Sequence, residues 1–256
     1  MSPIVFFTLM SVFLFLGMIV CLEVGRFVGR RKLQTDPAGA KSGVGTVEGA
    51  IFALLGLLIA FTFSGAATRF QERRQLVVEE ANAIGTAYLR IDLVDSGRQP
   101  ALRELFRSYV DARLEVYRRT EPSTQADLSA CSELQTRIWQ QAVAACQAES
   151  SPAPATLFLS ALNEMFDITT TRAAAARMHP PGIIFAMLCI LSLGSALLAG
   201  YGMAEAKRPS WLHILAFSAI TAGTVYVICD IEFPRLGLVR VDKIDQLLID
   251  VRAGMK

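Results

Sequence analysis

The chain has 256 residues, of which 53% are hydrophobic, and a mean hydropathy of +0.42, which is high for a soluble domain. Its formal net charge of +2 does not suggest a nucleic-acid partner. The five cysteines form neither a CxxC motif nor a cluster with histidine. We therefore expect a protein that binds no nucleic acid, no metal ion and no cofactor.

The hydrophobic residues are concentrated in four stretches without Asp, Glu, Lys or Arg. Each has at least about 20 residues, the length of helix that crosses roughly 30 Å of hydrocarbon. The stretches are Met1 to Leu22, Gly49 to Thr68, Met178 to Ala204 and Pro209 to Cys229. The first lacks a basic region ahead of it and a small-x-small cleavage site, so we expect a retained helix rather than a signal peptide. The sequence predicts an all-α membrane protein with four transmembrane helices.

The first span is predicted from Ile4 to Leu22, followed by a basic loop that reaches the second span. The loop would contain Arg26, Arg30, Arg31, Lys32, Asp36-Pro37 and Ser42-Gly43-Val44-Gly45. Between Thr68 and Pro100 no proline interrupts the sequence, and apolar residues continue at helical spacing. These residues are Phe70, Val77, Ala81, Ile84, Tyr88 and Ile91. We expect one continuous helix to about Leu93, ended by Asp95-Ser96-Gly97.

Three further helices are predicted before the third span, with apolar residues at helical spacing that include Leu102 and Tyr109 in the first, Ile138 in the second and Leu162 in the third. The first begins near Pro100, because proline suits the first turn of a helix. The second begins after Glu121-Pro122, with Ser123 or Thr124 as a candidate cap. The third runs from about Ala155 to Arg177, so that an extramembrane helical bundle is inserted between the second and third spans.

The predicted organisation has four parts. Residues 1–68 contain the first two transmembrane helices and their basic loop, and residues 69–178 form the bundle. Residues 179–231 contain transmembrane helices three and four, and residues 232–256 form a C-terminal amphipathic tail. One face of that tail carries Val241, Ile244, Leu248 and Val251.

The orientation in the membrane stays open. Basic residues in the two short loops favour cytoplasmic loops and an extracytoplasmic bundle by the positive-inside rule. Arginines also flank the spans on the bundle side, and these weaken the signal. They are Arg69, Arg73, Arg74, Arg172, Arg177 and Arg235.

No motif of a common enzyme class is present. GxxxxGK[ST], HExxH and GxSxG are absent, and Gly43-x-Gly45-x-x-x-Gly49 lacks the lysine of a phosphate loop. His179 and His213 lie near span ends, where interfacial packing is a better explanation than a zinc pair.

The exit of the second span, from Ala60 to Leu76, is the most informative stretch. Aromatic and arginine residues suit a membrane–water interface, and Glu72 can pair with a neighbouring arginine at helical spacing. This explanation of the composition requires no function.

From Ala50 to Asn82 the chain resembles the second membrane helix of bestrophins, the pentameric anion channels. The matching residues are Phe61, Arg69, Phe70, Glu72, Arg74, Leu76 and Asn82. Over nearly its full length the chain also resembles the bacterial bestrophin-like domain family, a domain of unknown function. The signatures of that family are Leu57 to Gly65, Glu79 to Arg90, Ala161 to Met165 and Phe233 to Gly237.

The resemblance implies a homo-oligomer, a pentamer, in the cell (inner) membrane, with the second helix lining an axial pore. It places the pore neck at Ala53, Leu57 and Phe61, whose spacing of four keeps them on one helix face. Rings of such residues can gate by dewetting, and the electropositive edges of Phe rings favour small inorganic anions such as chloride. The chain departs from bestrophins at Thr62 and Phe63, where they usually have Arg and Asn.

Other function classes remain as alternatives. A membrane-anchored interaction or sensor protein would use the Arg-rich bundle to bind a partner and would conduct nothing. A transporter would normally carry ionisable residues within its spans, and none lies mid-span here. An enzyme is least favoured, because the acid pairs Glu79-Glu80 and Asp230 with Glu232 lack Cys or His partners. We expect these acids to be solvated or paired with arginine.

Overall fold

The computed structural model describes residues 3–36, 44–118, 125–147, 152–206, 208–233, 238–239 and 242–256, and every regular element in these ranges is a helix. The α-helices are α1 Pro3–Thr35, α2 Val44–Leu89, α3 Gln99–Arg118, α4 Gln125–Gln147, α5 Pro152–Arg177, α6 Gly182–Gly202, α7 Trp211–Glu232 and α8 Asp242–Gly254. Two 3₁₀ helices follow α2 and α6, at Arg90–Leu93 and Met203–Glu205. The predicted all-α fold class is confirmed.

Four helical stretches are long and apolar enough to cross a membrane. They are Val5–Thr35, Gly45–Leu93, Pro152–Glu205 and Trp211–Glu232, and they correspond to α1, α2, α5 with α6, and α7. The prediction of four apolar membrane-span candidates is therefore confirmed. The second helix is also continuous, as predicted, because α2 extends without a break from the apolar segment to Leu89.

Backbone contacts divide the chain into two compact units. The span unit consists of Met1–Phe70 and His179–Val239, and the bundle unit consists of Gln71–Met178 and Arg240–Lys256. α2 begins in the first unit and ends in the second, while α8 belongs to the bundle unit.

In the span unit, α1 packs along α6 and also against α7. A Cβ atom added to Gly25 would lie 1.9 Å from the carbonyl oxygen of Leu197, and one added to Gly200 would lie 2.0 Å from that of Leu22. Only glycine permits such an approach, because the two backbones are in direct contact.

The predicted basic loop after the first span is wrong over most of its length. α1 continues to Thr35, so Arg26, Arg30 and Lys32 lie on the helix. No proline lies between Pro3 and Pro37 to interrupt the helix, and Gly25 packs against α6. At 33 residues α1 is about 50 Å long and exceeds the thickness of the hydrocarbon.

In the bundle unit, α3, α4 and α5 and the last turns of α2 enclose an apolar core. The predicted inward faces are buried, including Leu102, Tyr109, Ile138 and Leu162. α8 adds Leu248 to this core, and the Arg252 guanidinium binds both carboxylate oxygens of Asp111 at 2.7 and 2.9 Å. The sequence alone did not indicate this docking of the C-terminal tail.

The helix ends follow local chemistry. The 3₁₀ turn after α2 ends at Leu93, and the Gly97 N–H donates to Asp95 Oδ2 at 3.0 Å, as the turn sequence predicts. α5 begins at Pro152, three residues earlier than predicted, because proline is tolerated in a first turn. The candidate caps Ser123 and Thr124 lie outside the described residues.

The backbone contact between α1 and α6 predicts the effect of a single methyl group. We expect Gly200→Ala to lower the thermal unfolding midpoint in detergent, since overpacking costs about 1–3 kcal/mol and exceeds the helix propensity that alanine gains. Gly194→Ala is the matched control, because a Cβ there meets no atom within 4 Å. Equal midpoints for the two variants would contradict the contact.

Candidate pore-lining helix face and ion-pair cluster

The apolar part of α2 is covered on one side only. Leu55 and Ala66 are buried, and the Phe52 ring packs edge-on against Phe217 of α7 with centroids 6.2 Å apart. On the other side, Leu57 is 52% exposed and Phe61 is 68% exposed. Ala53 is exposed as well. The three residues predicted to form a neck therefore share an uncovered face of the span unit.

At these three residues the face presents hydrocarbon and an aromatic ring rather than hydrogen-bonding groups. Thr62, which departs from the bestrophin pattern, donates its hydroxyl to the carbonyls of Leu58 and Ile59 at 2.8 and 3.0 Å. Its polar atom is thus engaged by its own helix. Such a surface cannot coordinate a dehydrated ion, but several copies of it could form a constriction that excludes water.

Arg69 ties the exit of α2 to the end of α7. Its Nε donates to both carboxylate oxygens of Glu232 at 3.1 and 3.0 Å, and its Nη2 lies 2.9 Å from Oε2. The Glu232 side chain is only 1% exposed. The sequence predicted an ion pair between Glu72 and a neighbouring arginine of α2. For Arg69 this prediction is wrong, because Arg69 binds Glu232 of α7, while Glu72 is exposed.

His179 joins the same carboxylate from the segment before α6. Its Nδ1 lies 3.1 Å from Glu232 Oε1, and its ring stacks on Phe233 at 4.4 Å between centroids. Phe233 in turn lies 4.8 Å from Phe7 of α1. Sequence analysis expected interfacial packing of His179 but did not find its carboxylate partner, because the two residues are far apart along the chain.

Asp230 is occupied by backbone groups. Its carboxylate accepts the N–H groups of Leu238 and Val239 at 2.9 to 3.1 Å. Both acids at the end of α7 are therefore engaged, one by main-chain donors and one by Arg69. Within the described residues, no group of three His, Cys, Asp or Glu side chains could hold a metal ion.

The remaining residues of the exit motif do not converge on this cluster. Glu72, Arg74 and Asn82 are exposed, whereas Phe70 and Leu76 are half-buried. These residues lie along α2 rather than around one site.

The bundle unit contains a second, fully buried ion cluster around Glu80. The Arg113 Nε donates to its carboxylate at 2.8 Å, Tyr117 donates at 2.9 Å, and Arg172 also binds it. Burial opposes ionisation of Glu80, but the two guanidinium groups outweigh it and hold the pKa of this carboxyl below its ordinary value. Sequence analysis allowed arginine pairing for this acid. Glu80 lies three residues after Val77 and four before Ile84, which are both buried, and this helical spacing indicates that Glu80 is buried as well.

The comparison with protein families decides the relationship of this chain. The Bestrophin-like domain model matches residues 11–244. The chain belongs to the Bestrophin-like domain family. No curated protein matches it.

Solved structures of the family's fold resemble the chain over nearly its whole length. A bacterial bestrophin homolog from Klebsiella pneumoniae, crystallised with a tyrosine-to-alanine substitution, is 11% identical with a TM-score of 0.70. The match covers 94% of this chain and 98% of that one. A membrane protein with a proline-to-alanine substitution is 13% identical with a TM-score of 0.64, and the match covers 99% and 100% of the two chains. These likenesses establish the fold.

The ion pair between α2 and α7 can be tested by removing its partners in turn. We expect Arg69→Met to destabilise the protein by about 2–4 kcal/mol, because it leaves the buried Glu232 carboxylate without its guanidinium. The double variant Arg69→Met/Glu232→Met should be more stable than Arg69→Met alone. Denaturant unfolding of the wild type, Arg69→Met, Glu232→Met and the double variant in one detergent measures both effects, and additive losses would argue against the pairing.

Proposed function

We propose that the chain forms a homo-oligomeric ion channel in the cell (inner) membrane, a pentamer by resemblance, in which α2 of each copy faces a common axis. The observation that most directly supports this proposal is the exposed apolar face of α2 with Ala53, Leu57 and Phe61. In this proposal residues 69–178 are an extramembrane domain. The bestrophin fold supports the assembly, because the resemblance implies an axial pore lined by this helix.

An apolar face alone is equally compatible with contact to lipid, so the continuation of the face matters. Thr68, Glu72, Gln75 and Glu79 follow Phe61 by 7, 11, 14 and 18 residues, which is about two, three, four and five helical turns. All four are exposed. A helix face that changes from apolar to polar in register suits an aqueous axis with a narrow apolar neck better than a lipid contact.

The neck would control conduction by its width and wetting. Rings of Leu57 and Phe61 exclude water when narrow, and a small widening hydrates them. Phe edges carry partial positive charge, so a ring of Phe61 side chains favours anions, and the permeant ion that the resemblance implies is chloride.

Flux through purified protein in liposomes tests the neck. We expect Phe61→Ala and Leu57→Ala to increase ion flux several-fold, because each removes part of the apolar constriction. Phe63→Ala is the matched control, since Phe63 lies about 160° around the helix from Phe61 and should leave flux unchanged. A monomeric particle, or no flux in any variant, would refute the channel and favour the membrane-anchored interaction protein.

A second candidate function, a cation-conducting channel, is favoured by Glu72 and Glu79. They share the phase of Phe61, and an oligomer would repeat each carboxylate in a ring of the kind found in cation channels. Arg73 and Arg74 keep their positive charge but lie about 120° and about 140° around the helix from Phe61. Arg69 is bound to Glu232, and Arg73 donates to the carbonyls of Ala175 and Met178 at 3.2 and 2.9 Å.

Reversal potentials across a salt gradient separate the two permeant ions. If the two carboxylates line the axis, we expect Glu72→Gln/Glu79→Gln to shift the reversal potential towards that of chloride, because it removes the negative rings. Glu104→Gln serves as a control, because Glu104 pairs with Arg107 on α3. An unchanged reversal potential in the double variant would place both acids away from the ion pathway.

A further inference from the structure

Glu48, near the start of α2, reaches the end of another membrane helix. A Cβ atom built on Gly202, the last residue of α6, would lie 3.2 Å from Glu48 Oε2 and 3.3 Å from Oε1. The carboxyl group therefore lies directly against the α6 backbone. All of these atoms belong to the span unit.

Glu48 is half-buried, and one of its carboxyl oxygens has no donor among the described residues to stabilise a negative charge. Its Oε1 is inaccessible to solvent and has no hydrogen-bond partner. The fully buried acids Glu232 and Glu80 differ in this respect, since Glu232 binds Arg69 and Glu80 binds Arg113. Partial burial without such a partner disfavours the ionised form of the Glu48 carboxyl group.

The charged groups of the neighbouring elements do not supply the missing donor. On α1, Arg26 Nη1 lies 3.4 Å from Glu23 Oε1, and Arg30 Nη2 donates to the Ala206 carbonyl at 2.8 Å. On α7, His213 Nδ1 contacts the Ser210 hydroxyl at 2.6 Å. Glu205, after α6, is exposed and adds a further negative charge. Among the described residues of the span unit, none of these side chains forms an ion pair with Glu48.

The helix end beside Glu48 adds to the unfavourable field. The last carbonyls of a helix lack intrahelical partners, and the macrodipole places partial negative charge there. A carboxylate against the end of α6 is repelled. A carboxylic acid is not repelled, because its proton can be donated to a carbonyl of that last turn.

We infer that Glu48 is a proton-binding site that holds its proton at neutral pH and thereby links the start of α2 to the end of α6. Loss of the proton replaces this link with repulsion. α2 is otherwise joined to the span unit through side chains such as Phe52 and Arg69, so its first turns would then separate from α6. If α2 lines a pore as proposed, this proton controls the position of that helix, and only this consequence depends on the proposed function.

Infrared spectroscopy of the full chain in detergent tests the site directly. Spectra are compared from about pH 5 to about pH 10, a range that includes the pH at which buried glutamates are known to titrate. We expect a carbonyl stretching band of a protonated carboxylic acid at neutral pH that disappears in alkali and is absent from Glu48→Gln. Glu23→Gln is the matched control and should keep the band. A neutral-pH spectrum that Glu48→Gln leaves unchanged would overturn the inference, and so would a carboxylate balanced by a bound cation.

Thermal unfolding provides a second readout that needs no ion conduction. An acid that is protonated in the folded state and ionised in the unfolded chain costs stability as the pH rises. Glu48→Gln, which cannot ionise, should therefore match the wild type near pH 5 and be the more stable protein in alkali. Parallel profiles for the two proteins would refute the site, whether or not the chain is a channel.

Discussion

The backbone of α2 is a single unbroken helix of 46 residues, about 70 Å long, and this continuity constrains the rest of the structure. No proline interrupts α2 after Phe61, so residues 7, 11 and 18 positions later recur on the same side of the helix. The helix therefore has to present one surface suited to hydrocarbon or a dry constriction and, in register with it, one suited to water.

Two buried carboxylates help to secure this helix, in addition to its apolar contacts. Arg69 and Glu232 meet where the apolar segment ends, and the carboxylate also contacts His179, so one buried acid gathers α2, α7 and the segment before α6. In the bundle unit, Glu80 has the same role for α2, α3 and α5. Arginine suits both positions, because its fork of donors satisfies a buried carboxylate from several directions.

The sequence predicted well whatever depends on local pattern. Apolar length predicted the spans, helical spacing predicted the buried faces of α3, α4 and α5, and Asp95 to Gly97 predicted the end of the long helix. It failed where distant residues decide. The basic stretch from Arg26 to Lys32 is helical and lies beside glycine contacts with α6, and neither the partner of Glu232 nor the docking of α8 has a local signature. The exposure of Leu57 and Phe61 was likewise invisible, since apolar residues look alike whether they face lipid, protein or a pore.

The glycine contacts between α1 and α6 restrict how the membrane part of the chain can move. Because the backbones of α1 and α6 are in contact at Gly25 and Gly200, we expect little relative motion between these two helices. α2 is attached through side-chain contacts instead, which include the ring contact of Phe52 with Phe217 and the ion pair of Arg69 with Glu232. We therefore expect α2 to move more readily than α1 and α6 when the span unit is deformed.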